Sequence, residues 1–96
     1  MIVHIALFAW KPGTQEDTIR EVANKIQSLK LKVSGVLQIY CGQNFSMWNE
    51  GFTYACIVIT ENREALEAYR NHPEHKAIAA EIDSIEAKSI GVDFET

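Results

Sequence analysis

Little in this chain points away from an ordinary small globule. Two cysteines among 96 residues are too few for a secreted, disulfide-stapled mini-protein. Cys41 and Cys56 both sit in strand-like apolar runs, where a free thiol behaves as a small hydrophobe. No apolar run approaches the roughly 18 residues that a membrane span needs. Positive charge is scarce, with nine Lys and Arg against thirteen Asp and Glu, a formal net charge of −4. No surplus of cations exists to displace the counterions of a nucleic-acid backbone, so nucleic acid is not an expected partner. The chain has no phosphate loop, no G-x-G-x-x-G and no G-x-S-x-G, which removes the nucleotide and serine-hydrolase readings. Repeats, low-complexity stretches and linkers are also missing. The length fits a single domain over 1–96. The apolar start, Ile2 to Trp10, lacks a basic leader and a small-residue cleavage site. It reads as a strand rather than a signal peptide, and a reducing cytoplasm is the expected compartment.

What is present divides into six elements. Residues 2–10 are β-branched and aromatic and form a first strand, ended by Lys11-Pro12-Gly13. Thr14, with Asp17 three residues on, is a candidate helix cap. Ile19, Val22, Ala23, Ile26 and Leu29 then recur at helical spacing, which predicts an amphipathic helix over 15–31. Residues 36–41 read as a strand ended by Gly42, and 43–52 as a polar loop carrying two large aromatics. Residues 53–60 form the third strand. Asn62 is placed to cap a second helix, which turns Ala65, Leu66 and Tyr69 inward. Pro73 interrupts that helix and opens a new turn, with His75, Ile78, Ala79, Ile82 and Ile85 on one face. Residues 87–94 alternate as a last strand. The order β-α-β-β-α-β is the split βαβ, ferredoxin-like α+β arrangement, a four-stranded antiparallel sheet with helices on one face.

That sheet has more apolar surface than its helices can cover. Side chains alternate between the faces of a strand. Val3, Ile5 and Leu7 share one face with Ile57, Ile59, Ile90, Val92 and Phe94. Eight such side chains, at about 1.5–3 kcal/mol each when buried, form a patch that a monomer rarely carries. A homodimer whose two sheets stack into a shared barrel core is the expected solution.

The opposite face is of another kind. His4, Ser89 and Asp93 stand among Ala6, Phe8, Cys56 and Val58. Small and polar residues there leave a hollow between sheet and helices. Val22, Ile26 and Ile78 border it, and Tyr69 and His75 point into it. Apolar walls with a few convergent polar groups are the usual form of a small-molecule site. Imidazole moves protons near neutral pH, and a tyrosine hydroxyl can stabilise developing enolate charge. The same two side chains can also each satisfy a backbone carbonyl and do nothing else. His72 and His75 lie three apart, but the residue before Pro73 is biased out of helical geometry, and no third ligand is spaced to join them. No metal and no cofactor are expected. Cys41 and Cys56 can meet on adjacent strands, yet no cationic neighbour lowers a thiol pKa, so inert packing is expected. Trp10, Trp48 and Tyr54 read as packing or loop anchors.

His4, Phe8 and Lys11, then Gly42 and Asn44, Gly51-Phe52, the string Leu66-x-x-Tyr69-x-x-His72-Pro73-x-His75 and the final Asp93-Phe94 together resemble the stress-responsive A/B barrel (Dabb) family. The resemblance spans essentially the whole chain. It implies a ferredoxin-like protomer and a dimeric α/β barrel. Most members have no assigned reaction. One plant branch is a polyketide cyclase that closes a poly-β-ketone by aldol condensation without metal or organic cofactor. Its catalytic tyrosine and histidine match Tyr69 and His75, and its pocket histidine matches His4. By that likeness His75 is the base and Tyr69 orients the carbonyl oxygen. The departures are Val22, Ala23 and Ile26, where the cyclase has cavity aromatics on the first helix, and Glu86, where it has an aromatic. Some plant relatives hold magnesium through backbone carbonyls after the first helix. The matching stretch, residues 30–36, has different side chains here, and carbonyl ligation leaves no sequence mark. Three classes therefore stand: a cofactor-free cyclase or lyase acting on a carbonyl compound, a non-catalytic barrel binding a hydrophobic small molecule, and a cofactor-independent monooxygenase.

Overall fold

A computed structural model describes residues 1–96. Along the chain run β1 (Ile2–Trp10), α1 (Glu16–Ser28) with a 3-10 turn at Leu29–Leu31, β2 (Val36–Gln43), β3 (Tyr54–Thr60), α2 (Arg63–Asn71), α3 (Pro73–Ile85) and β4 (Glu86–Glu95). The four strands make one antiparallel sheet in the order β2-β3-β1-β4. The fold is ferredoxin-like, with the second helix divided in two.

Local chemistry sets the boundaries. Asn62 caps α2, its side-chain oxygen accepting from the Ala65 N–H at 2.8 Å. His72 ends α2 in extended backbone and begins α3, its Nδ1 accepting from the Glu74 N–H at 3.1 Å. Pro73 then occupies the first turn of α3, where its missing N–H costs nothing. Gly35 turns the chain into β2 at φ +86°, and an added Cβ would stand 2.6 Å from the Ala65 Cβ. Two expectations need correction. Thr14 does not cap α1: its hydroxyl donates back to the Lys11 carbonyl at 2.7 Å, and Gln15 takes the cap position without a side-chain bond. Gly42 does not end β2, which continues to Gln43 because the ladder with β3 persists to Tyr54.

The helices cover one face, and the core lies beneath them, with Leu29, Val58 and Thr60 innermost. The other face has no helix on it. Register aligns its side chains in rows across three strands: Ile59–Val3–Phe94, Ile57–Ile5–Val92 and Ala55–Leu7–Ile90. Ile90, Val92 and Phe94 are 48%, 44% and 46% exposed. Only the end near Ala9 is closed. There Lys88, across from Ala9, lies 4.6 Å from the centre of the Phe52 ring and donates to the Glu50 carbonyl. No helix is long and apolar enough to cross a membrane.

Candidate functional site

Between sheet and helices lies a hollow of about 190 Å³. Its floor is β1 and β3, through His4, Ala6, Phe8, Cys56 and Val58. Its roof is Ile26 of α1, Tyr69 of α2 and His75, Ile78, Ala79 and Ile82 of α3, and Asp83, Glu86 and Ser89 complete it. Strand alternation and helical spacing together aim these side chains at one space.

Two expected lining residues lie elsewhere. Val22 sits one turn before Ile26 and is packed into the core at 5% exposure. Asp93 stands beyond the hollow, in a groove between α2 and the end of β4, because it pairs with the first half of β1. It still acts on the site through His4, its direct cross-strand partner. The His4 Nδ1 donates to Asp93 Oδ1 at 2.5 Å, and the Arg70 guanidinium holds Asp93 Oδ2. Burial pushes the Asp93 carboxyl up, but the bonds from His4 and Arg70 outweigh it and hold the group below its usual range. An ionised carboxylate only accepts, so the His4 Nδ1 carries the proton of their shared bond.

His75 and Tyr69 meet edge to face with ring centres 4.5 Å apart. They come from different helices, and the break at His72-Pro73 allows the contact. Tyr69 is 3% exposed, and burial pushes its hydroxyl above the ordinary phenol range, so it stays a neutral O–H donor. Burial lowers the His75 pKa, and the nearby His4 lowers it further, so the ring is neutral at pH 7. The His75 Nδ1 is buried and has no hydrogen-bond partner.

Sequence reasoning missed Arg70 and Asp83, and named Glu86 only as a departure from the cyclase, not as part of the lining. Arg70 follows Tyr69 directly and carries no periodic signal. Glu86 faces the helices because a bulge opposite Ala9 and Trp10 shifts the alternation of β4 by one residue. Trp10 does pack, stacking on Phe8 at 5.1 Å and tilting against Tyr54 at 5.8 Å. Trp48 is 85% exposed and anchors nothing within the subunit. A larger groove of about 520 Å³ beside Trp10 and Tyr54 contains neither histidine nor cysteine. No three His, Cys, Asp or Glu residues gather at metal-binding distance.

A four-stranded antiparallel sheet with its helices on one face defines the class of small ferredoxin-like α+β domains. The chain belongs to the Stress Responsive A/B Barrel Domain (Dabb) family, which it matches over residues 2–96. No curated protein matches it by sequence. Among solved structures it is similar to a dimeric ferredoxin-like protein of unknown function from Thermobifida fusca, at 24% identity and TM-score 0.86 over 99% of this chain and 90% of that one. A protein from Arabidopsis thaliana matches at 22% identity and TM-score 0.90, over 100% and 95% of the two chains. The hydroxynitrile lyase from Passiflora edulis matches at 14% identity and TM-score 0.87, over 97% and 90%.

Proposed function

We propose that two copies stack their bare sheet faces into a shared barrel core, and that each hollow takes a small, largely apolar carbonyl compound for cofactor-free acid–base chemistry. His75 is the base and Tyr69 the hydrogen-bond donor to the carbonyl oxygen. The observation that carries this reading is the convergence of the Tyr69 and His75 side chains, in edge-to-face contact, on one hollow with apolar walls. Dimeric assembly draws support from the rows of apolar side chains that no helix covers, with Ile90, Val92 and Phe94 exposed, and from the dimeric Thermobifida fusca structure. Lyase-type chemistry draws support from the Passiflora edulis enzyme, a lyase on this fold.

In this scheme the neutral His75 takes a proton from the carbon next to the carbonyl. The C–H electron pair becomes an enolate, and the Tyr69 O–H bonds its oxygen as charge develops. His4, oriented by Asp93, offers Nε2 to a second polar group of the same molecule. The enolate carbon then attacks a second carbonyl within the molecule or is reprotonated.

The test is exchange of α-protons for deuterium in small aryl ketones and 1,3-diketones, followed by proton NMR. The wild type is expected to accelerate exchange. His75→Ala should lose about 10²–10⁴-fold of that acceleration, and Tyr69→Phe about 10²–10³-fold. Exchange unchanged in His75→Ala would remove the base assignment. A second reading, binding without turnover, draws on the apolar wall of Phe8, Ile26, Val58 and Ile78. Saturable binding of these ketones with no exchange above buffer would favour it.

A further inference from the structure

Cys41 and Cys56 lie directly opposite each other on β2 and β3. Their place in the ladder can be read from one bond. The Asn44 N–H donates to the Thr53 carbonyl at 2.8 Å, which makes 44 and 53 a hydrogen-bonded pair. Bonded and non-bonded pairs alternate along an antiparallel ladder, so Cys41 and Cys56, three steps on, form a non-bonded pair. In such pairs the Cα atoms are about 4.5 Å apart and the side chains lean together. That separation falls inside the disulfide range of roughly 4.4–6.8 Å, at its short end. Both side chains take the helix-covered face. Cys56 is 3% exposed, whereas Cys41 is only partly buried.

We propose that Cys41 and Cys56 are a redox modification site, which hydroperoxides close into an intrachain cross-strand disulfide and thiol reductants reopen. The two cysteines have unequal roles. The neighbouring Cys56 thiol lowers the Cys41 pKa, while the same neighbour and burial push Cys56 up. The sequence showed no cation to activate either thiol; the activating neighbour is the other cysteine. Cys41 is the less buried member and attacks first. Its sulfur bonds one peroxide oxygen, the O–O bond breaks, and the other oxygen leaves as alcohol or water with a proton, giving a sulfenic acid at Cys41. The Cys56 sulfur then attacks the Cys41 sulfur. The S–S bond forms, the S–O bond breaks, and hydroxide leaves with the Cys56 proton as water. Two thiols are oxidised by two electrons and one peroxide is reduced. The site does not depend on the carbonyl chemistry proposed above, although Cys56 shares the wall of the hollow.

The experiment treats the native full-length protein with hydrogen peroxide, then measures free thiols, intact mass and peptide linkage. Trypsin has no site between the two cysteines, so cleavage at Glu50 or Met47 is used to separate them. Expected results are loss of both free thiols, a mass lower by two hydrogen atoms, and a Cys41–Cys56 linkage within one chain that dithiothreitol reverses. In Cys56→Ser the reaction is expected to stop at a Cys41 sulfenic acid trapped by dimedone. In Cys41→Ser the remaining Cys56 is expected to stay reduced until the chain is unfolded. Thiols that survive peroxide in the native protein, a disulfide between chains, or Cys41 passing to sulfinic acid with Cys56 still free would each overturn the proposal.

Discussion

Val92→Glu puts the dimer argument at risk with little danger to the subunit itself. Val92 lies on the outer strand β4, in a row with Ile5 and Ile57, and is 44% exposed within the protomer. A glutamate there can keep its carboxylate in water as long as the subunit is alone. Stacking the faces removes that freedom. Full burial of a valine is worth about 1.5–3 kcal/mol, so covering the exposed part contributes about 1 kcal/mol per copy. An unpaired carboxylate trapped in the interface costs several kcal/mol more. Symmetry counts each effect twice. Even with relaxation at the edge, the loss is about 4–7 kcal/mol, or roughly three to five decades in Kd. The assay is sedimentation velocity over a range of micromolar concentrations, with circular dichroism as the check on folding. Wild type should sediment as a dimer, and Val92→Glu as a folded monomer. A wild-type chain that runs as a folded monomer, or a variant that dimerises as tightly as wild type, refutes the reasoning.

The depressed pKa of His75 gives stability a pH signature, because the unfolded chain binds that proton more readily than the folded one. Above the unfolded value near 6.5 both states are neutral; as pH falls through it, stability declines, and thermal melts from pH 7 to 5 should show a smaller decline in His75→Gln. If His75 is the base, exchange activity falls at lower pH than that onset, as the folded ring with its depressed pKa protonates. Gly35→Ala forces a positive-φ backbone and a Cβ against Ala65, so urea unfolding should show a loss of about 2–4 kcal/mol; a loss under 0.5 kcal/mol would contradict the packing described. Asn62→Ala removes the α2 cap and should cost about 1 kcal/mol in the same assay, with Asn62→Asp losing much less.

Much of the protein was legible along the chain because its signals are local. Alternation in residues 2–10 and 53–60 separated the two sheet faces, and the 3.6-residue stripe through Val22, Ala23 and Ile26 marked the helix. The string from Tyr69 to His75 placed both polar groups on the inner side of a broken helix. What failed were details decided by competition between bonds. Thr14 has the chemistry of a cap, but the turn carbonyl of Lys11 takes its hydroxyl. Gly42 looks like a stop, yet cross-strand bonds outlast it. Glu86 enters the hollow through a bulge, an irregularity that no period announces.

The pattern of side chains therefore determined the element order, the apolar character of both sheet faces and the residues able to carry a proton. Those are properties of periodicity and residue chemistry, which need only near neighbours. Tertiary structure alone decided which polar groups meet. It drew Asp93 from the hollow to His4 and Arg70, left the His75 Nδ1 without a partner, and set Cys41 across from Cys56 at a non-bonded rung. Each of those facts depends on register between distant segments, and register is fixed only when the whole sheet and its helices pack at once.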